Sequence, residues 1–116
     1  MATSKDYATY IEDALRHVPK TRIKAMFGEY ALYCGEVVVG SVCDDTVFIK
    51  ITDGTRQLFD TETKTAPPYL GAKPAFVVSE GVLEDKELIK QIVIACSKDV
   101  AATAAKKKSP KPSRRK

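Results

Sequence analysis

The stretch Arg22-Ile23-Lys24-Ala25-Met26-Phe27-Gly28-Glu29-Tyr30-Ala31-Leu32-Tyr33-Cys34 decides the fold. It opens with alternating cationic and apolar residues, breaks at a glycine, and resumes as an aromatic run. Aromatic and β-branched residues bounded by glycine read as strands, Arg22 to Phe27 and Glu29 to Cys34. A glycine inside such a pattern suggests a bulge or a close backbone approach. Two further runs follow, Val37 to Cys43 and Thr46 to Ile51. Their short spacing demands antiparallel neighbours, because parallel strands need a long crossover. Gly35-Glu36 and Asp44-Asp45 are the turn signals, and Asp53-Gly54 ends the meander.

Helices flank these strands. Lys5 to Val18 carries Tyr7, Ile11, Ala14, Leu15 and Val18 at helical spacing, with Thr3 or Ser4 to cap it and Pro19 to stop it. Thr55 to Thr61 reads as a short helix with Leu58 and Phe59 inward, and Thr65 to Pro74 reads as a proline-rich loop. Ala75 to Ser79 is a strand. Glu84 to about Ala105 is a long helix whose stripe comprises Leu88, Ile89, Ile92, Val93, Ala95, Cys96, Val100 and Ala104. This order predicts an α+β, two-layer domain, with the N-terminal and C-terminal helices packed on one face of an antiparallel sheet.

The segment Arg22-x-x-x-Met26-Phe27-Gly28-x-Tyr30-x-Leu32-Tyr33 resembles the signature of the TfoX N-terminal-domain family. Asp44-Asp45-x-x-Phe48-x-Lys50, Arg56, Phe59 and Tyr69 extend the resemblance, which covers roughly residues 5 to 100. It implies an arrangement similar to type III secretion chaperones, and a role near the regulation of DNA-uptake competence or of transcription. Glu29 stands where family members usually show a second glycine, and the last helix lacks the tryptophan they often carry. Longer members continue into a helical domain, whereas here a basic segment follows.

Charge divides the chain at residue 106. Seven of its 19 Lys and Arg residues lie in 106–116 (Lys106, Lys107, Lys108, Lys111, Arg114, Arg115 and Lys116), with no acidic residue among them. The preceding 105 residues hold the other 12 together with all 15 acidic groups, a balance of −3. The expected organisation is therefore a mildly acidic domain over 1–105 and a disordered basic tail over 106–116. The tail offers no apolar area to offset the entropy of ordering it. Such a tail serves either as a solubilising terminus or as an electrostatic arm for nucleic acid.

Several function classes find little support. No apolar run is long enough to span a bilayer, and Asp6, Glu12 and Asp13 suit neither a signal nor a transit peptide. The expectation is a cytoplasmic protein that does not engage membranes. Cys34, Cys43 and Cys96 lack metal-ligand spacing and read as reduced, packed thiols; a Cys34–Val37 pairing would set Cys43 level with Gly28. His17 is the sole histidine and reads as a partly exposed residue in the last turn of its helix. Asp44-Asp45 reads as turn chemistry rather than a carboxylate pair. Ser41, Ser79 and Ser97 have no nucleophile-elbow context, and the glycines form no phosphate-binding loop. No cofactor or metal is expected.

Strand parity carries the last expectation. With tight turns and no bulge, Tyr33, Val38, Gly40, Val42, Val47, Ile49 and Ile51 share one face. Tyr30, Leu32, Cys34, Val37, Val39, Ser41, Phe48 and Lys50 share the other. Helices can cover only one face, so Leu32, Val37, Val39 and Phe48 would form an exposed apolar patch for a homodimer or partner protein. Arg22, Lys24 and Lys50 form a small cationic strand surface. The resulting expectation is a non-enzymatic regulatory or interaction module. The alternative is a protein that binds nucleic acid non-specifically through its tail, and the third reading is an enzyme.

Overall fold

The computed structural model describes the backbone of residues 4–26, 29–69 and 71–108, with side chains as far as residue 103. In chain order the elements are α1 (Lys5–Ala14), β1 (Thr21–Met26), β2 (Glu29–Cys34), β3 (Val37–Cys43), β4 (Thr46–Lys50), α2 (Asp53–Leu58), β5 (Thr65–Ala66), β6 (Ala75–Val78), α3 (Glu80–Glu84) and α4 (Lys86–Lys108). The six strands form one sheet in the order β1-β2-β3-β4-β6-β5. Every neighbouring pair is antiparallel, so the α+β class stands.

Local chemistry sets the element ends. Ser4 caps α1, its hydroxyl accepting the Tyr7 amide at 3.1 Å. The helix closes at Ala14 rather than Val18. Arg16 and Val18 donate to carbonyls only three residues back, a tightened last turn ahead of Pro19. Asp44 and Asp45 both take positive φ, 52° and 54°, as a two-residue turn matched to strand twist requires. Thr52 caps α2 through a reciprocal capping box with Thr55, so that helix begins two residues earlier than expected. Two further elements replace expected loop: the two-residue β5 in the proline-rich segment, and α3, capped by the Ser79 hydroxyl. Asp85 then receives the Leu88 amide at 3.1 Å as α4 begins.

One irregularity reassigns the two sheet faces. Leu32 pairs with Gly40 but Tyr33 pairs with Val38, so Val39 is an extra residue in β3. The bulge restores Val42, Val47 and Ile49 to the same face as Leu32, Cys34 and Val37. Tyr30 consequently stands opposite Val42, and Cys43 comes level with Glu29 rather than Gly28. Two residues make the bulge workable. A Cβ on Gly40 would lie 1.9 Å from the Phe48 carbonyl oxygen, so only glycine allows the strands this approach. The Cys96 thiol donates to the Val39 carbonyl oxygen at 3.4 Å.

The main core gathers on that first face. Leu32, Val39, Val42, Val47 and Ile49 meet Ile11, Leu15, Leu83, Ile89, Ile92, Val93 and Cys96 from the helices and the turn after α1. Phe59 and Phe76 stack within it, ring centroids 4.3 Å apart. Leu88, Ile89, Ile92, Val93, Cys96 and Val100 of the expected α4 stripe pack in or against this core, whereas the Ala104 side chain lies outside the described residues; all three cysteines are free, buried thiols. Burial pushes the Cys96 thiol up to about 12. Asp99 ties α4 to α2 by accepting the Gly54 amide at 2.8 Å.

Candidate interaction face

The second face of the sheet holds a different set of side chains. β1 lies at the sheet edge, and its alternation sends Arg22, Lys24 and Met26 to this side. Arg22 stands opposite Tyr33 and lays its guanidinium 4.6 Å from the ring centroid, a cation–π contact across the strand pair. Lys24 faces Ala31, and the row continues through Ser41, Phe48 and Val77. Cys43, Phe48 and Ala75 form a small apolar cluster, with Ala66 and Val77 packed against it. Lys50 is exposed at the far end of β4. The face is an apolar floor, partly open at Tyr33, Val38 and Val77, with three cations at its margins.

The expected interface patch is corrected by this arrangement. Leu32 and Val39 are wholly buried in the helix-covered core, and Val37 packs against it, because the bulge turns them to the first face. Only Phe48 remains on the second face, 8% exposed. Of the signature residues, Leu32 and Tyr30 belong to the core side, whereas Arg22, Tyr33 and the 39%-exposed Met26 belong to the second face. Phe27 and Gly28 lie outside the described residues. Glu29, where the family glycine is replaced, accepts the Asp44 amide at 3.3 Å and so braces the β3–β4 turn.

The arrangement suits binding through surface contact. Tyr33 carries the Arg22 guanidinium on one side of its ring, and Phe48 is nearly closed off. An amphipathic protein segment with acidic residues would match both the apolar floor and the cationic margin. Arg22, Lys24 and Lys50, expected as a small cationic strand surface, lie on this one face, with Lys50 on β4 separated from β1 by two strands. Sequence reasoning missed the Arg22–Tyr33 pairing and the Cys43–Phe48–Ala75 cluster. The register that brings them together depends on β-pairing across the sheet.

His17, Ser79 and Ser97 each have a structural partner. His17 Nε2 lies 2.8 Å from the Lys86 carbonyl oxygen, joining the turn after α1 to the start of α4. The Ser97 hydroxyl donates to the Ile94 carbonyl at 2.8 Å, and Ser79 caps α3. Among the described residues, no cluster of three or more His, Cys, Asp or Glu could hold a metal ion. No helix among them is long and apolar enough to cross a membrane. A groove of about 370 Å³ runs between α2 and α4, floored by Leu58, Ile94 and Ala95 and flanked by Lys90, Lys98 and Glu87. A second, of about 430 Å³, lies beside Tyr7 and Tyr10.

The basic segment begins on a helix. α4 continues through Lys108, three residues beyond the expected end, so Lys106, Lys107 and Lys108 sit on its final turn. Cations there complement the negative end of the helix dipole. Lys111, Arg114, Arg115 and Lys116 lie outside the described residues.

Comparison with known proteins agrees with the signature. A 112-residue alignment, covering 97% of this chain and 90% of the relative, is 36% identical to a Spirochaeta aurantia protein named "Uncharacterized 12.7 kDa protein in trpE 5'region". Residues 13–100 match the TfoX N-terminal domain. This match spans most of the chain, including the Arg22–Tyr33 signature and the α4 side of the core, and the chain belongs to the TfoX N-terminal-domain family.

Proposed function

We propose that the protein is a non-enzymatic regulatory module that acts by holding a protein partner against the second face of its sheet. The observation that carries this reading is the apolar floor of Tyr33, Val38 and Val77 with Arg22, Lys24 and Lys50 at its margins. Apolar area supplies the favourable burial, and the cations select an acidic partner and speed encounter. Family membership supports a regulatory role, and the family's link to competence or transcription gives its expected setting, in the cytoplasm. The structural use of His17, Ser79 and Ser97 supports the non-enzymatic part of the reading.

The test is capture from nuclease-treated cell extract by full-length protein, compared with an Arg22→Glu/Lys24→Glu variant. Both positions are exposed, so the variant should keep the wild-type fold. A partner bound by the wild type and lost by the variant is the expected result. Equal capture by both would overturn the reading.

A second reading has its own observation. The basic segment starts on the last turn of α4, beyond exposed Ala101, Ala102 and Thr103, where a polyanion can reach it. In this reading the tail binds nucleic acid through phosphates, without sequence preference.

A further inference from the structure

The two edges of the sheet differ. β5, at one edge, is two residues long and runs directly into Pro67 and Pro68, which blunts it for strand pairing. β1, at the other edge, is six residues long, about 20 Å, contains neither proline nor glycine, and pairs with β2 in unbroken register. Among the described residues no strand covers its outer side. The Gly35 amide donates to the Lys20 carbonyl oxygen at 2.9 Å, one pair beyond Thr21 and Cys34, which fixes the phase of the ladder. Bonded and non-bonded pairs alternate along antiparallel strands. Arg22, Lys24 and Met26 therefore bond inward to β2, whereas Thr21, Ile23 and Ala25 turn their amides and carbonyls to the open edge. The side chains alternate in step: Arg22 and Lys24 stand exposed on the second face, and Ile23 packs against the core on the first.

We propose that β1 is a docking edge, at which an extended segment of the partner protein, acidic at every second residue and apolar between, adds as a further antiparallel strand. This mode of capture rests on the partner-binding reading and specifies the segment that is taken. Residues directly opposite one another in an antiparallel pair share a face. The acidic positions thus meet Arg22 and Lys24, while the apolar ones extend the first face beside Ile23. Backbone bonds to Thr21, Ile23 and Ala25 supply affinity, and alternate side chains supply selectivity. A second copy of the chain does not fit this edge. The two fullest pairings of β1 with its own copy about a two-fold axis centre on Ile23 or on Lys24. The first sets Arg22 against Lys24, and the second sets Lys24 against itself. Like charges directly opposite destabilise such a pair. The two cations therefore oppose self-association and favour an acidic strand.

A synthetic peptide of alternating glutamate and valine, titrated into the full chain, is the probe. Binding should slow hydrogen exchange at the Ile23 and Ala25 amides, read by NMR, and leave the Arg22 and Lys24 amides, already bonded to β2, nearly unchanged. The valines stand opposite Ile23 and Ala25, so their amides point at β1 and the glutamate amides point away. N-methylation of the valines should therefore weaken binding by about tenfold or more, whereas N-methylation of the glutamates should change it by less than about twofold. A peptide of alternating lysine and valine should not bind. Absence of binding by the glutamate–valine peptide, equal binding of its two N-methylated forms, or unslowed Ile23 and Ala25 amides in the bound state would each overturn the proposal. Equal binding of both N-methylated forms that is lost in Arg22→Glu/Lys24→Glu would remove strand addition while leaving the partner-binding face standing.

Discussion

Replacing Gly40 with alanine probes the feature on which both sheet faces depend. The added Cβ would lie 1.9 Å from the Phe48 carbonyl oxygen, 3.0 Å from its carbon and 3.2 Å from the Ile49 Cα. All three atoms are main chain in β4, so no side-chain rotation relieves the contact. Relief requires β3 and β4 to separate where Gly40 pairs with Ile49 and Ser41 with Phe48. Overpacking in a tight interior typically costs about 1–3 kcal/mol, and a clash against backbone belongs at the upper end. At about 3 kcal/mol, the melting temperature of a domain this size should fall by roughly 12–24 °C. Gly81→Ala is the matched control. Its added methyl would meet nothing closer than the Ser79 hydroxyl at 3.9 Å, and within α3 it should be neutral or stabilise by up to about 1 kcal/mol. Urea denaturation followed by circular dichroism reads both. A Gly40→Ala midpoint matching that of Gly81→Ala would refute the close approach, and with it the face assignment.

Four other outcomes follow from the same contacts. Ile92, wholly buried in the first half of α4, should cost about 2–5 kcal/mol on truncation to alanine, measured as a lowered urea midpoint. Bonds from Thr52 and from the Gly54 amide hold the Asp99 carboxyl below its ordinary value of 3.8. Its contribution is therefore present above that value and lost as pH falls through the lower folded-state pKa; Asp99→Asn should be less stable at neutral pH, and the gap should narrow in acid. All three thiols should react with a disulfide reagent only as fast as the protein opens, since each is buried; one thiol reacting at the rate of free cysteine in the native state would contradict the packing. DNA affinity should depend on residues 106–116 with a log–log salt slope of at most about −6, counting roughly 0.9 counterions per phosphate; a chain ending at Ala105 that bound equally well would place binding elsewhere.

Much of this fold was legible because period and punctuation agreed. Glycine and aspartate turns bounded β2, β3 and β4, and the α4 stripe kept its spacing through Cys96. The bulge was not legible in the same way. Val37-Val38-Val39-Gly40 is a continuous apolar run, which carries no alternation from which an extra residue could be counted. Gly40 was its only local sign. Missing it reversed the facing of Leu32, Val37 and Val39 and produced an interface patch that the structure buries. Arg22 and Lys24 lie in β1, which pairs with β2 without a register shift, and the same bulge moves Lys50 from the face of Leu32 to the face of Tyr33, so the three cations end on one side. α3 escaped notice because five residues between a strand and a long helix hold too few turns for a period. Its Ser79 cap and buried Leu83 were the available signals.

The partner-binding face is tested most directly by hydrogen exchange on the full-length chain, alone and in complex with the protein it captures from nuclease-treated extract. The account predicts slowed exchange confined to β1, the β2–β3 strands beside Tyr33 and Val38, and the β4–β6 pair, with the outer surfaces of α1 and α4 unchanged. Protection confined to the helices, with exchange at β1 unaltered, would contradict it.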